Sequence, residues 1–233
     1  MAAKPQLACF ERLGAPGAEA LERAVAAAHA AGLLVIADGK RGDVPVSSAA
    51  YAQALFGSTP SPFGEIRGLG ADAATASPLL GIDALEPLVA GAEATGSGVF
   101  VLVRTSNPGA ADVLDLPTEQ GPLHERLAAL VAGLAPRLAG GSGLSGLGAV
   151  VGATEPARIG RLRELMPSSV FLLPGVGAQG GDPARLGDAF APGPAAALVT
   201  ASRSVAGADD PAAAAEELRS RVWDVACRAG GAA

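Results

Sequence analysis

The sequence predicts an α/β fold of the TIM (β/α)8-barrel type, and three observations carry that expectation. Short continuous apolar runs alternate with amphipathic stretches along the whole chain. The apolar runs end in small or polar residues, as parallel strands covered on both faces do. The links between them are short, as in βαβ units. Strand-like runs fall at 6–10, 33–37, 73–76, 99–103, 148–151, 170–173 and 197–200. Helical patterns fall at 17–31, 47–56, 82–95, 123–138, 156–165 and 211–229. Asp182 followed by Pro183 adds an N-cap with proline at the first helical position. Seven strands are counted where a closed barrel has eight, in 233 residues against a usual length of about 250. An open doubly wound sheet accommodates seven strands, so on periodicity alone it competes. The Gly/Ser-rich stretches 57–64 and 140–148 read as loops, because the rhythm resumes after each, and a single domain over residues 1–233 is expected.

Composition narrows the function. With 49% apolar residues the chain is too hydrophobic to be disordered. Its 17 basic against 23 acidic side chains, with scattered arginines, lack the basic stripe that nucleic acid requires. Two cysteines, Cys9 and Cys227, make neither a disulfide framework nor a four-cysteine zinc site. No apolar run approaches the roughly 18 residues of a membrane span, and residues 1–11 do not form a secretory signal. A cytoplasmic protein with no membrane attachment is expected.

Three polar constellations follow strand-like runs. Asp38-Gly39-Lys40-Arg41-Gly42-Asp43 comes directly after the run 33–37, at the strand end where barrel enzymes carry their chemistry. Asp38 and Lys40, two apart on an extended segment, project to one face, and Asp43 is near enough to bring a second carboxylate to the ammonium. Opposite charges at ~4 Å attract by ~4 kcal/mol at an effective dielectric near 20, so Lys40 is expected to stay charged, a proton donor and electrostatic clamp. Fifteen of the seventeen basic residues are Arg, and only Lys4 and Lys40 are lysine, the one of the two side chains able to give up a proton. An ordinary charged turn remains the competing reading.

The second constellation, Pro174-Gly175-Val176-Gly177-Ala178-Gln179-Gly180-Gly181-Asp182-Pro183, contains Gly-x-Gly-x-x-Gly late in the chain. The next strand end offers no acidic residue, which argues against a dinucleotide site. Its glycine amides can still cradle an anion, with Arg203 after the following strand adding a charged fork. The third, Arg104-Thr105-Ser106-Asn107-Pro108-Gly109, could hydrogen-bond a polar heterocycle or simply make a turn. His29 and His124 read as surface residues, and no cluster has metal-ligand spacing.

Together these segments resemble the orotidine 5′-phosphate decarboxylase family, in its Asp-x-Lys-Arg-Gly-Asp subgroup. The resemblance also takes in Lys4-Pro5-Gln6, Thr75-Ala76-Ser77-Pro78, Val151-Gly152-Ala153-Thr154 and Ser202-Arg203-Ser204. It implies an α/β barrel acting as a homodimer with shared active sites, with no cofactor and no metal, converting orotidine 5′-phosphate to UMP. It implies Lys40 as proton donor to C6 of the pyrimidine, flanked by Asp38 and Asp43, with Lys4 in the charge network beside the ribose. Asp43 and Ser47 would reach across from the second copy, Ser106 would bond the pyrimidine, and Gly177, Gln179, Gly180 and Arg203 would hold the 5′-phosphate. Against the family pattern the first βα unit is expected to be missing, which accounts for the count of seven. The alternatives are an inactive or partner-dependent truncated relative, or a phosphosugar lyase or epimerase of the same barrel superfamily.

Overall fold

Alanine and β-branched residues dominate the strands, and the small helix side chains let neighbouring helices approach closely. The computed structural model describes residues 1–177 and 179–229. The chain divides into two compact units, Met1–Val101 and Leu102–Ala233.

In the first unit the elements run β1 (Ala2–Ala3), α1 (Leu7–Glu11), α2 (Ala15–Ala30), β2 (Leu34–Arg41), α3 (Pro45–Leu55), β3 (Ser58–Ser61), β4 (Gly64–Arg67), β5 (Ala73–Ala76) and α4 (Ile82–Thr95). Strand β6 (Gly98–Arg104) begins here and ends in the second unit. The order β1-β2-β5-β6 is parallel throughout. All four residues of β5 are buried, as expected of a strand covered on both faces. Helix α3 lies so close to α4 that a Cβ on Gly91 would stand 2.7 Å from the Ala52 Cβ.

Two expectations fail in this unit. Residues 6–10 are not a strand: the chain pairs with β2 through Ala2 and Ala3, and Leu7–Glu11 is helical. Of that segment only Leu7 is buried while Cys9 is exposed, although strand alternation would put these two residues on one face. The Gln6 side chain instead caps the helix by accepting from the Ala8 N–H. The stretch 57–64 holds the first arm and the turn of an antiparallel hairpin, β3 with β4, closed where Ser61 Oγ donates to the Gly64 carbonyl at 2.7 Å. His29 lies in the last turn of α2, half-exposed, with Nε2 2.9 Å from Asp72 Oδ2.

The second unit continues with α5 (Ala111–Leu114), the short hairpin β7 (Pro117–Thr118) and β8 (Gly121–Pro122), α6 (Leu123–Leu134), β9 (Ser145–Val151), α7 (Pro156–Leu165), β10 (Ser169–Leu173), β11 (Ala197–Val199), α8 (Arg203–Ala206) and α9 (Pro211–Ala229). Its strand order is β6-β9-β10-β11, with β9, β10 and β11 parallel. Among the described residues the strands of these two runs number seven, as expected, with Ala2–Ala3 in place of 6–10. The helix expected at 123–138 ends at Leu134 and tightens into a 3-10 turn over Ala135–Leu138, where Pro136 cannot supply an amide. Asp182 caps a 3-10 turn over Pro183–Arg185, accepting from the Ala184 N–H at 3.0 Å. His124 is buried, contrary to expectation, with Nδ1 2.8 Å from the Leu114 carbonyl.

Arg163 on α7 is buried without a carboxylate partner among the described residues. Its guanidinium donates to the carbonyls of Met166, Ser169, Ala189 and Ala196 and stacks 3.7 Å from the Phe171 ring centroid. Burial pushes its pKa down to about 10. It joins α7 to the start of β10 and to the turns that precede β11. Among the described residues no helix is long and apolar enough to cross a membrane.

Candidate active site

In the first unit, polar groups gather at the C-terminal ends of β1, β2 and β5. The register of β2 against β5 slips between Ala37, opposite Ala74, and Arg41, opposite Ala76. The extra residues form a bulge containing Asp38, Gly39 and Lys40, a device that re-aims side chains beside functional sites. Lys40 has φ +48°, and it is the one non-glycine with positive φ among the described residues. A left-handed conformation costs a side-chain-bearing residue about 1–2 kcal/mol, so its surroundings must hold it there.

Asp38, 5% exposed, is the centre of the cluster. Lys40 Nζ donates to Oδ1 at 2.6 Å, and the Thr75 hydroxyl donates to the same oxygen at 2.9 Å. Lys4 Nζ donates to Oδ2, joined by Gln6 Nε2 at 3.3 Å. The Lys40 N–H donates to Thr75 Oγ1 at 2.9 Å. Burial by itself would raise the Asp38 pKa; the hydrogen bonds and charges of Lys4 and Lys40 outweigh it and hold the carboxyl below the ordinary aspartate value. Lys4 stands just past the end of β1, which is what brings it to Asp38.

Asp43 does not join this cluster within the chain. Its Oδ1 accepts from the Val44 N–H at 2.7 Å, and its backbone is tied to Ser48, whose hydroxyl donates to the Asp43 carbonyl at 2.8 Å. Among the described residues no hydrogen bond or ion pair links Asp43 to Lys40, because the chain has already turned toward α3. Ser47 stands half-buried in the first turn of that helix, beside the fully buried Ser48. Gly42 is needed for close packing, since a Cβ there would meet the Ser77 carbonyl oxygen at 2.5 Å.

In the second unit, Ser106 follows β6 and packs against the ends of β9 and β10. A Cβ on Gly152 would lie 2.9 Å from Ser106 Cα, and one on Gly175 would lie 3.0 Å from Ser106 Cβ. Thr154 Oγ1 donates to the Ser106 carbonyl at 3.3 Å. The glycine loop after β10 is closed on itself: the Gly177 N–H donates to the Gly181 carbonyl at 3.2 Å and the Gly180 N–H to the Gly177 carbonyl at 2.8 Å. Gly177 has φ +76° and Gly180 φ +86°, backbone that glycine adopts without strain. Ala178 lies outside the described residues. Arg203 is exposed and makes no ion pair or side-chain hydrogen bond among them. A cavity of about 360 Å³ beside the loop is lined by Gly177, Asp182, Ser204, Glu217 and Arg221, among others.

Sequence reasoning missed the Thr75 and Gln6 bonds to Asp38, and a second cluster at the end of β6. Buried Arg104 grips Asp115 through Nε at 2.9 Å and a terminal nitrogen at 3.1 Å, and also donates to the Thr105 carbonyl at 2.6 Å. Arg158 reaches Asp115 Oδ2 at 3.0 Å and His124 Nδ1 lies 3.1 Å from Oδ1. Arg104 foremost holds the Asp115 carboxyl below its ordinary pKa. An arginine closing an apolar strand was the available signal.

Charged and hydroxyl side chains at the C-terminal ends of parallel strands are where α/β enzymes, barrels among them, carry their sites. The match to known proteins is more specific. The chain belongs to the orotidine 5′-phosphate decarboxylase / HUMPS family, whose pattern it matches over residues 1–218. It is 45% identical to the orotidine 5′-phosphate decarboxylase of Deinococcus radiodurans over 203 residues, covering 87% of this chain and 70% of that protein. It is 42% identical to the enzyme of that name from Rhodopirellula baltica, covering 87% of this chain and 66% of the relative. The solved structure of Leishmania donovani OMP decarboxylase superposes with a TM-score of 0.78 at 35% identity, over 97% of this chain and 81% of that one.

Proposed function

We propose that the chain decarboxylates orotidine 5′-phosphate to UMP, a step of pyrimidine nucleotide biosynthesis in the cytoplasm, using neither metal nor organic cofactor. The observation that carries the reading is the Asp38 carboxylate held between Lys4 and Lys40. The C6–carboxylate bond breaks, carbon dioxide leaves, and the electron pair stays on C6. The Lys40 ammonium gives its proton to C6, forming the new C–H bond, and the neutral amine is reprotonated from solvent. A fixed cation stabilises charge concentrating on C6 more than it stabilises the delocalised carboxylate of the substrate, so it lowers the barrier. Asp38 and Lys4 keep that cation in place before the reaction begins.

Ser106 bonds the pyrimidine ring. Because the Gly177 and Gly180 amides are engaged within their loop, those glycines shape it while the Gln179 side chain and Arg203 hold the 5′-phosphate. Binding the remote phosphate orients the reacting ring. The working form is a homodimer, in which Asp43 and Ser47 of a second copy approach Lys40. Loss of orotidine 5′-phosphate absorbance on adding the purified protein tests the reading. Lys40→Ala is expected to abolish turnover, and retention of the full rate by that variant would overturn the assignment.

A further inference from the structure

We propose that Thr75 is the positioning residue that sets Lys40 for proton transfer, an inference that rests on reading Lys40 as the proton donor. Strand β5 has the sequence Ala73-Ala74-Thr75-Ala76, and all four residues are buried. Three of them fill space; Thr75 is 2% exposed yet carries a hydroxyl that packing does not require. That hydroxyl has two uses. Its proton goes to Asp38 Oδ1 at 2.9 Å, and its oxygen accepts the Lys40 N–H at 2.9 Å. A hydroxyl is suited to this double role because it donates once and accepts through its lone pairs.

The backbone explains why such a group is needed. Between the pairs Ala37–Ala74 and Arg41–Ala76, four steps on β2 face two on β5. The bulge takes Lys40 out of the regular ladder, and the Thr75 side chain supplies the acceptor its N–H would otherwise lack. The bond holds Lys40 at φ +48°, and from that backbone the ammonium reaches Asp38 Oδ1 at 2.6 Å. Thr75 and Lys40 Nζ thus share one carboxylate oxygen. When Lys40 gives up its proton and its charge, the Thr75 donor still satisfies that oxygen, so the carboxylate does not reorient during the step.

Thr75→Val keeps the shape and removes the hydroxyl; Thr75→Ser keeps the hydroxyl. For the full chain, Thr75→Val is expected to lower kcat roughly ten- to hundredfold while KM stays within about threefold, since a small misplacement of a reacting group costs rate more than binding. Thr75→Ser is expected to recover most of kcat. Independently of activity, hydrogen exchange of the Lys40 amide in the unliganded protein should accelerate at least about tenfold in Thr75→Val and return in Thr75→Ser. An unchanged kcat in Thr75→Val, equal losses in both variants, or unaltered Lys40 exchange overturns the proposal. If Thr75→Val does not fold, Thr75→Ala against Thr75→Ser carries the same comparison. A wild-type protein without decarboxylase activity refutes the functional reading, and the exchange measurement then decides the role of Thr75 alone.

Discussion

Lys4 and Lys40 hold opposite oxygens of one carboxylate, Lys4 on Oδ2 and Lys40 on Oδ1 of Asp38. Neither lysine neighbours the other in sequence, and the pairing of β1 with β2 is what sets both against Asp38. A pH dependence follows. The folded carboxyl titrates below the ordinary aspartate value of 3.8, so in that window the unfolded chain binds more protons than the folded one. The stability contributed by Asp38 is fully present above the unfolded value and is lost as pH falls through the folded one. Asp38→Asn should therefore melt below the wild type at about pH 7, with the gap narrowing as pH drops below about 4. Thermal melts of both proteins across that range measure it; a gap that does not change with pH contradicts the account.

Ser106 can be displaced without being mutated. Because a Cβ on Gly152 would stand 2.9 Å from Ser106 Cα and 3.0 Å from its nitrogen, Gly152→Ala must push that backbone outward. If Ser106 bonds the pyrimidine, KM for orotidine 5′-phosphate should rise about three- to tenfold, the scale of one weakened neutral hydrogen bond. Steady-state kinetics decides, and an unchanged KM would remove Ser106 from the binding surface.

Much of the secondary structure is legible in the sequence. The helices 82–95, 156–165 and 211–229 coincide with the observed elements, because ten or more residues of helical period leave few alternatives, and the short strand 73–76 is placed by its buried small residues and by the helix that follows it. Residues 6–10 misled because five residues are too few to separate a strand from a helix by period, and a two-residue strand such as Ala2–Ala3 carries no period at all. The motif Asp38 to Asp43 pointed to Lys40 through residue type and spacing. Thr75 was invisible as a partner: its bond to Lys40 depends on a bulge and on strand order, neither of which has a local sequence signal. The solitary His124 gave no hint of burial, since its partner Leu114 carbonyl is backbone and Asp115 lies on a separate turn.

The Asp115 cluster predicts a stability effect away from the reacting groups. Arg104 is 6% exposed in its side chain and Asp115 20%, so removing the carboxylate strands a nearly buried guanidinium. Asp115→Asn should cost about 3 kcal/mol, near the lower end for breaking a buried pair. Adding Arg158→Met should recover little, because Arg158 is 36% exposed in its side chain and solvent already screens it. Urea melts of the single and double variants read both numbers. A loss below about 0.5 kcal/mol in the single variant would mean that the cluster behaves like a surface ion pair.

Arg203 offers the sharpest separation between phosphate binding and chemistry. It is exposed, it heads α8 directly after β11 and the Thr200-Ala201-Ser202 link, and it has no competing ion pair among the described residues. A charge-assisted bond contributes about 1.5–3 kcal/mol, so Arg203→Ala should raise KM for orotidine 5′-phosphate roughly ten- to hundredfold. Arg203→Lys should restore part of that, keeping the charge but not the two-pronged geometry. Added salt should shrink the difference between wild type and Arg203→Ala, because the contact is solvent-accessible. The decisive comparison uses orotidine, which lacks the phosphate. If Arg203 acts on the phosphate, wild type and Arg203→Ala should process orotidine at equal, low rates. An equal penalty on both substrates would instead tie Arg203 to the chemistry or to folding, and the phosphate would have to be held elsewhere.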